Sequence, residues 1–339
     1  MSRPIIGITI GDPAGIGPEI TLKALQKEEF YRISKPLVIG SYPVMKKVSE
    51  QLGISVQFNR IERVQDGTYE YGTIDVLDLN NVDVDRLEMG KVQKECGQAS
   101  FEYIRKSAEL ALKGEIDAVC TAPINKEALK AANVPYIGHT EMFADLTKAE
   151  REMTMFSIEN VKIFFLTRHV SLAEACRQIN NKDFVLRGIR QAYQALEDLI
   201  GQKPRLAVAG LNPHSGEGGL LGREEIDAIR PAVEQACEEG MDVVGPVPAD
   251  SVFHFARKGH YDAVLSLYHD QGHIAAKMID FEKTVSITLG LPILRTSVDH
   301  GTAFDIAGKG IASPVSMIEA YKAAVQYAGR YPKKKTAVM

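Results

Sequence analysis

The sequence predicts an α/β fold with two domains, mostly parallel sheets and an active-site cleft between the domains. Short apolar, β-branched segments alternate with segments of helical periodicity, a pattern typical of parallel strands joined by crossover helices. The chain has 339 residues, which is more than a single hydrophobic core usually accommodates. Its composition of 45% hydrophobic and 25% charged residues is typical of globular proteins.

Strand–helix units follow one another along the chain. The first has an apolar run at residues 4–11, a glycine-rich turn at 12–19 and a helical pattern that continues to Leu25. Polar clusters follow several predicted strands, at the ends where open α/β sheets bind ligands. Further strands are predicted at 36–40, 118–120, 161–166, 206–209, 263–267, 285–288 and 293–296, and helices at 44–52, 97–112, 125–132, 184–199, 224–239 and 316–329.

Charge and cysteine usage exclude several classes of protein. The net charge of −4 argues against a nucleic-acid partner, because such proteins usually carry a basic face. The basic run Lys333–Lys335 is expected to be a solvated tail. The cysteines are scattered and no signal peptide is recognisable, which favours a cytoplasmic protein with reduced thiols. No apolar run approaches the roughly 20 residues that span a bilayer, so no membrane partner is expected.

Three histidines each follow an apolar predicted strand: His169, His214 and His269. Imidazole suits several divalent metals, and three histidines leave coordination positions open for a substrate. A histidine at a strand end is equally well explained by a structural role, so the residue types leave both readings open. Asp270 and Asp250 are candidate carboxylates for orienting a ligand or moving a proton, or they are simply helix caps.

Five motifs carry a resemblance to a known family. Residues 11–19 (GDPAGIGPE), 138–141 (GHTE), 210–218 (GLNPHSGEG), 268–272 (YHDQG) and 288–292 (TLGLP) resemble the 4-hydroxythreonine-4-phosphate dehydrogenase family. The resemblance runs in unbroken order from residue 4 to about residue 330. It implies an oxidoreductase acting on a small phosphorylated substrate, and a homodimer whose active sites are shared between subunits.

The resemblance also implies roles for individual residues. One divalent ion, zinc, cobalt or magnesium, would be held by His169, His214 and His269, contributed by both subunits. The residues that match the family's substrate-binding positions are His139, Thr140, Lys277 and Arg295. Ser286 departs from the pattern, because the family's vitamin B6 enzymes have an asparagine there, and this changes the hydrogen-bond donors offered to the substrate.

Two substrates are therefore considered within the family. One is 4-phosphooxy-L-threonine, used in vitamin B6 (pyridoxine) synthesis, and the other is D-threonate or D-erythronate 4-phosphate, used in carbohydrate breakdown and giving dihydroxyacetone phosphate. Ser286 and residues 121–126, 272–273 and 303–305 resemble the second branch more closely. In both, the C3 hydroxyl is oxidised and carbon dioxide is lost, with Lys277, Asp250 and Asp270 as open candidates for proton transfer.

The glycine-rich stretch at 299–314 indicates a cofactor site. It lacks the GxGxxG spacing, but it is similar to the adenosine-binding loop of isopropylmalate and isocitrate dehydrogenases. That similarity implies their two-domain fold and NAD bound by His300, Gly301, Thr302 and Asp305, where a carboxylate would repel the 2′-phosphate of NADP. Lys126 is either a further ligand-binding residue or a solvated helix start.

The implied domains are a cofactor-side domain, residues 1–125 plus 296–339, and a metal-binding, substrate-binding and dimerisation domain, residues 126–295. A different class of function uses the same histidines without a redox step, namely a metal-dependent sugar-phosphate hydrolase or binding protein. The loop from His300 to Pro314 discriminates between them, because a hydrolase does not need a dinucleotide site.

Overall fold

A computed structural model describes residues 3–149 and 151–331. The chain divides into two units, the first made of Met1–Glu152 and Leu291–Met339 and the second of Met153–Gly290. The expected domain boundaries at residues 125 and 295 were assigned by role, and that assignment stays a prediction. The predicted tail at Lys333–Lys335 lies outside the described residues.

The first unit contains a sheet of six parallel strands. Its centre is buried on both faces, as parallel sheets covered by helices usually are, and Ile6 and Ile8 of the first strand are fully buried. In pairing order the strands are β3 (Gln57–Ile61), β4 (Thr73–Asp78), β2 (Lys35–Gly40), β1 (Ile5–Thr9), β5 (Ala118–Thr121) and β12 (Arg295–Val298).

Helices connect these strands. Helix α3 shows how the sequence sets their ends: Ser41 caps its first turn by accepting from Val44 N, and Gly53 ends it in the left-handed conformation that glycine adopts without strain. The helices of the unit are α1 (Gly17–Ala24), α2 (Glu28–Ile33), α3 (Tyr42–Leu52), α4 (Lys94–Leu112), α5 (Lys126–Ala131), α6 (His139–Thr147) and α12 (Val315–Ala328).

The second unit contains a mixed sheet. Its strands pair in the order β11 (Val285–Leu289), β6 (Met153–Ile158), β7 (Val161–Phe165), β10 (Ala263–Ser266), β8 (Leu206–Ala209) and β9 (Val243–Val247). The pairs of β6 with β11 and with β7 are antiparallel, and the strands from β7 to β9 are parallel. The helices are α7 (Leu172–Ile179), α8 (Lys182–Ile200), α9 (Arg230–Glu238), α10 (Ala249–Arg257) and α11 (His269–Ile279).

The predicted α/β class with mostly parallel strands is confirmed. The strand expected at 293–296 lies two residues later, at β12. Strands β3, β4, β6 and β9 were not predicted. The first has polar residues at its exposed positions, and the last contains glycine and proline, which a strand tolerates at the edge where β9 lies. None of the helices in the described ranges has the length and apolar character needed to cross a membrane.

Candidate active site

Three neighbouring parallel strands of the second unit bring the three strand-end histidines to one edge of the sheet. His169 follows β7, His214 follows β8, and His269 begins α11 directly after β10. Because β10 pairs with both β7 and β8 in parallel, all three strands end at the same edge. The predicted placement of the histidines at the carboxyl ends of strands is confirmed.

Two of these histidines have a carboxylate oxygen within hydrogen-bonding distance of Nδ1. His269 Nδ1 lies 2.6 Å from Asp270 Oδ1, and His214 Nδ1 lies 2.8 Å from Glu217 Oε2. The hydrogen bond to Glu217 raises the pKa of His214. A carboxylate on one ring nitrogen orients a histidine so that the other nitrogen can bind a ligand. This donor set is chemically suited to a divalent metal.

The two candidate aspartates are not helix caps. The N-cap positions of α11 and α10 are occupied by Tyr268 and Pro248, and neither side chain makes a capping hydrogen bond. Asp270 contacts His269 Nδ1 and Asp250 lies in the first turn of α10; both aspartates are exposed. Across residues 3–149 and 151–331, no three His, Cys, Asp or Glu side chains are grouped closely enough to hold a metal ion.

His214 lies in an unusual turn. Residues 214–218 all have positive φ, between 46° and 82°. Left-handed conformation costs about 1–2 kcal/mol for each residue other than glycine, and His214, Ser215 and Glu217 all adopt it. Strain of this kind persists where the surrounding structure fixes it, often at functional sites. We call residues 213–219 the His214 turn.

A buried glutamate lies beneath this turn. Glu225 is fully buried and begins a π-helical segment, Glu225–Ile229. Its Oε1 accepts from the backbone N–H groups of Leu211 at 2.8 Å and Asn212 at 2.7 Å. Its Oε2 accepts from Asn212 Nδ2 at 2.8 Å. Nothing in the local sequence marks Glu225 as functional, because only the folded chain brings it against residues 211–212.

His269 is further packed by aromatic rings. Its ring stacks on His273 with centroids 3.6 Å apart and planes 11° apart. His273 in turn contacts Phe156 and Phe165, and its Nδ1 lies 2.8 Å from His269 O. Burial lowers the pKa of His273 to about 4, so its ring is neutral at neutral pH. The orientation of His269 is therefore fixed from two sides.

Two further predicted substrate residues lie in the second unit. Lys277 is in the last turn of α11, with Nζ 4.9 Å from the ring centroid of Phe281. Ser286 is a half-buried residue of β11, paired across the strands with Phe156. Lys277 thus shares a helix with His269.

The first unit brings His139 and Arg295 together. His139 begins α6, and its Nε2 is buried without a hydrogen-bond partner in the described part of the chain. Burial, followed by the positive charge of Arg295, lowers the pKa of His139 well below 6.5. Thr140 follows it in the first turn of α6. His139 is therefore a neutral ring at pH 7.

Arg295 is only 4% exposed. Its Nε and Nη2 donate to Thr121 Oγ1, at 3.2 and 2.9 Å, and its guanidinium lies 5.8 Å from the ring centroid of Phe143. Burial lowers the pKa of Arg295 to about 9, which leaves it cationic at neutral pH. A buried cation of this kind suits an anionic ligand.

The loop at 299–314 is firmly attached to the start of the first unit. Thr302 O accepts from Ile16 N at 3.1 Å, and a Cβ added to Gly15 would lie 3.0 Å from Thr302 Cβ. Lys23 Nζ donates to the carbonyls of Gly310 and Ala312. Thr302 is buried, whereas Gly301 and Asp305 are exposed. The loop can therefore contact a ligand through the backbone of Thr302 and through the exposed residues Gly301 and Asp305. Lys126 begins α5 as expected.

Asp12 is a second functional candidate that the sequence analysis missed. It follows β1, is fully buried, and accepts from Ala14 N at 2.8 Å through Oδ1. Its Oδ2 has no hydrogen-bond partner among the described residues. Burial raises the pKa of Asp12 from 3.8 to about 6. Strongly shifted carboxyls at the ligand-binding edge of a sheet are candidates for function.

Comparison with known proteins identifies relatives over nearly the whole chain. A protein from Halalkalibacterium halodurans, provisionally named D-threonate 4-phosphate dehydrogenase, is 58% identical over 332 residues, which cover 97% of this chain and 98% of that protein. The structure of 4-hydroxythreonine-4-phosphate dehydrogenase from Klebsiella pneumoniae has a TM-score of 0.89 at 39% identity, covering 96% of this chain and 98% of that one. A 4-hydroxythreonine-4-phosphate dehydrogenase from Burkholderia phymatum has a TM-score of 0.86 at 42% identity, covering 96% and 99%.

The fold is of the α/β class, and the named dehydrogenase relatives identify an oxidoreductase. A family model described as pyridoxal phosphate biosynthetic protein PdxA matches residues 32–324. The chain belongs to this family. The predicted resemblance to 4-hydroxythreonine-4-phosphate dehydrogenases is thus confirmed, whereas NAD, the metal ion, decarboxylation and the homodimer stay predictions.

Proposed function

We propose that this protein is an NAD- and divalent-metal-dependent dehydrogenase that oxidatively decarboxylates D-threonate 4-phosphate or D-erythronate 4-phosphate. The observation that carries the proposal is the 58% identity to a relative named for D-threonate 4-phosphate, against 39–42% identity to the two solved 4-hydroxythreonine-4-phosphate dehydrogenases. Ser286, where the vitamin B6 enzymes have asparagine, supports the same branch. Its hydroxyl suits a substrate with a hydroxyl at C2 in place of an amine.

The proposed reaction is an oxidation at C3 followed by loss of C1. The hydrogen at C3 leaves with two electrons for NAD, and the C3 hydroxyl loses its proton. The resulting 3-keto acid loses C1 as carbon dioxide, and C2 takes up a proton to give dihydroxyacetone phosphate. A divalent ion, when bound, supplies the Lewis acidity that favours deprotonation of the hydroxyl and disperses charge on the adjacent oxygen.

We assign the metal ligands to His169, His214 and His269. Their placement at one edge of three neighbouring strands supports this assignment, as do the carboxylates that orient two of them. In the proposal Asp270 orients His269, so Lys277 and Asp250 remain as the candidates for proton transfer.

The proposed unit of function is a homodimer in which each site takes ligands from both chains. An apolar stripe on and just after α11 supports it: Ile274, Met278 and Phe281 are 61, 80 and 65% exposed. Exposed apolar clusters of this kind usually mark protein contacts. The same helix carries His269 and Lys277, so a subunit packed there would lie beside the proposed ligands. The expected cytoplasmic location, inferred from the scattered cysteines, belongs to this proposal.

Residues of the first unit would bind the substrate and the cofactor. Arg295 supplies a buried cation for a carboxylate or phosphate, and neutral His139 and Thr140 supply hydrogen bonds. Lys277, which belongs to the second unit, would contact the phosphate as a point charge. NAD would lie on the loop at 299–314, with Asp305 accepting from the ribose and His300, Gly301 and Thr302 lining the site. The attachments of the loop at Ile16 and Lys23 support a pre-formed cofactor site.

The test is NADH production by the purified protein with D-threonate 4-phosphate, D-erythronate 4-phosphate and 4-phosphooxy-L-threonine, each before and after chelation. We expect NADH and dihydroxyacetone phosphate from the first two, and loss of both after chelation. His214→Ala should abolish turnover, whereas His260→Ala, which removes an exposed histidine elsewhere in the same unit, should not. Turnover of 4-phosphooxy-L-threonine alone would assign the other branch, and phosphate release without NADH would indicate a hydrolase.

A further inference from the structure

We propose that Glu225 is the positioning residue that sets the geometry of His214 as a metal ligand. The inference rests on the proposed function, which makes His214 a ligand. It concerns a residue that contacts neither substrate nor metal and acts through the His214 turn.

The carboxyl group of Glu225 is met by amide donors rather than by a cation. Among the described residues its carboxylate forms no ion pair, and it accepts three N–H donors, two from the backbone and one from Asn212. A buried carboxylate without a counter-ion is costly. A side chain retained at that cost is informative, because the residues it binds are those that lead into the His214 turn.

Glu225 contacts the turn at two places. Its hydrogen bonds to Leu211 and Asn212 fix the backbone where β8 ends and the turn begins. Its Oε2 also lies under the middle of the turn, because a Cβ added to Gly216 would be 2.8 Å from that oxygen. His214 lies between these two points. The carboxylate therefore determines both the start and the depth of the left-handed segment.

The first unit contains a buried carboxylate with a comparable set of donors, to which the hydroxyl of Thr68 is added. Asp75 is 1% exposed and accepts from the backbone N–H groups of Thr68 and Tyr69, and from Asn59 Nδ2, at 2.7 to 2.9 Å. The loop it holds carries no residue assigned to the site. Asp75 is thus a matched control that separates the general effect of losing a buried loop anchor from a specific effect on His214.

The experiment compares Glu225→Gln with Asp75→Asn in the full-length protein. Gln keeps one accepting oxygen but turns an NH₂ group toward Asn212. Binding of Co²⁺ is measured by its d–d absorption and by calorimetry, and thermal unfolding is measured without metal. We expect both variants to unfold at lower temperature, and only Glu225→Gln to weaken Co²⁺ binding, by about 10- to 100-fold.

Two further variants make the outcome decisive. Asn212→Ala removes the side-chain hydrogen bonds to Glu225 and Glu224 but keeps both backbone donors to Glu225. It should weaken Co²⁺ binding in the same direction but less, which covers the case in which Glu225→Gln fails to fold. If His214→Ala weakens binding while Glu225→Gln and Asn212→Ala leave it unchanged, the positioning role is refuted and the ligand assignment survives. If His214→Ala has no effect on Co²⁺ affinity, the ligand assignment fails and the positioning role fails with it.

Discussion

Replacing Asp12 by asparagine should change how the stability of the protein depends on pH. Burial raises the pKa of Asp12 from 3.8 to about 6. Because the pKa is higher in the folded than in the unfolded protein, the folded protein keeps this proton between those two values while the unfolded chain loses it. The stabilising contribution is fully present below pH 3.8 and is lost as the pH rises through about 6.

The size of the effect follows from the shift. A shift of about two pKa units corresponds to about 3 kcal/mol in total, at 1.36 kcal/mol per unit. The part that falls between pH 4.5 and 7 is about 2 kcal/mol. Asparagine cannot ionise, so the free energy of unfolding of the variant minus that of the wild type should rise by this amount across the interval. The new buried NH₂ group costs about 1–3 kcal/mol at every pH, and it cancels in the change with pH.

The assay is urea-induced unfolding at several pH values with linear extrapolation. The chain has no tryptophan but has twelve tyrosines, so far-UV circular dichroism and tyrosine fluorescence are the suitable signals. All other titrating groups are common to both proteins and drop out of the comparison. A difference that stays constant from pH 4.5 to 7 would show that Asp12 ionises as it would in solvent and would refute the argument from burial.

Three further predictions concern ligand binding. His139→Gln should lower kcat/KM by about 10- to 100-fold, because a hydrogen bond to a charged substrate is lost. Burial keeps His139 neutral, so the acid limb of the pH–rate profile should stay where it is in the wild type. A shift of that limb in the variant would contradict the neutral role of His139. Asp305→Ala should raise KM for NAD about tenfold and reduce the preference for NAD over NADP in steady-state kinetics. An unchanged ratio of kcat/KM for NAD to that for NADP would exclude a contact between Asp305 and the ribose. Gly15→Ala places a methyl group against Thr302 and should lower the free energy of unfolding by about 1 kcal/mol. It should also weaken NAD binding, measured by thermal-shift titration. An NAD affinity equal to that of the wild type would mean that the loop at 299–314 does not hold the cofactor.

The sequence predicts much of the fold because several central strands are short apolar runs, although the interior strands β4 and β6 were not predicted. The isoleucines of β1 and the apolar run of β10 are typical of buried parallel strands. Edge strands are harder to predict. In β3, Gln57 and Arg60 are exposed and only Ile61 is buried, and β9 contains Gly245 and Pro246. Their strand conformation depends on the neighbour they pair with, which a local pattern does not contain.

The candidate site divides in the same way. Histidines at strand ends can be recognised, because the strands before them are apolar and their carboxyl ends meet. The roles of Asp12 and Glu225 cannot, since an aspartate after glycine is typical of a turn and a glutamate in a helical pattern is typical of a solvated face. Burial decides both roles, and burial results from tertiary packing.

The His214 turn and the loop at 299–314, both proposed to hold ligands, are each anchored by a buried glutamate. Glu19, buried in the first turn of α1, accepts from Ala312 N at 2.8 Å and pairs with Lys23, which binds the loop at 299–314. Glu225, buried at the start of its π-helical segment, accepts from the backbone before the His214 turn. Both segments are irregular, and side-chain hydrogen bonds to neighbouring elements help to order them before a ligand arrives. A buried glutamate supplies that order in advance, and a site ordered in advance loses less conformational entropy on binding, so variants at these two glutamates should weaken ligand binding even though neither side chain reaches a ligand.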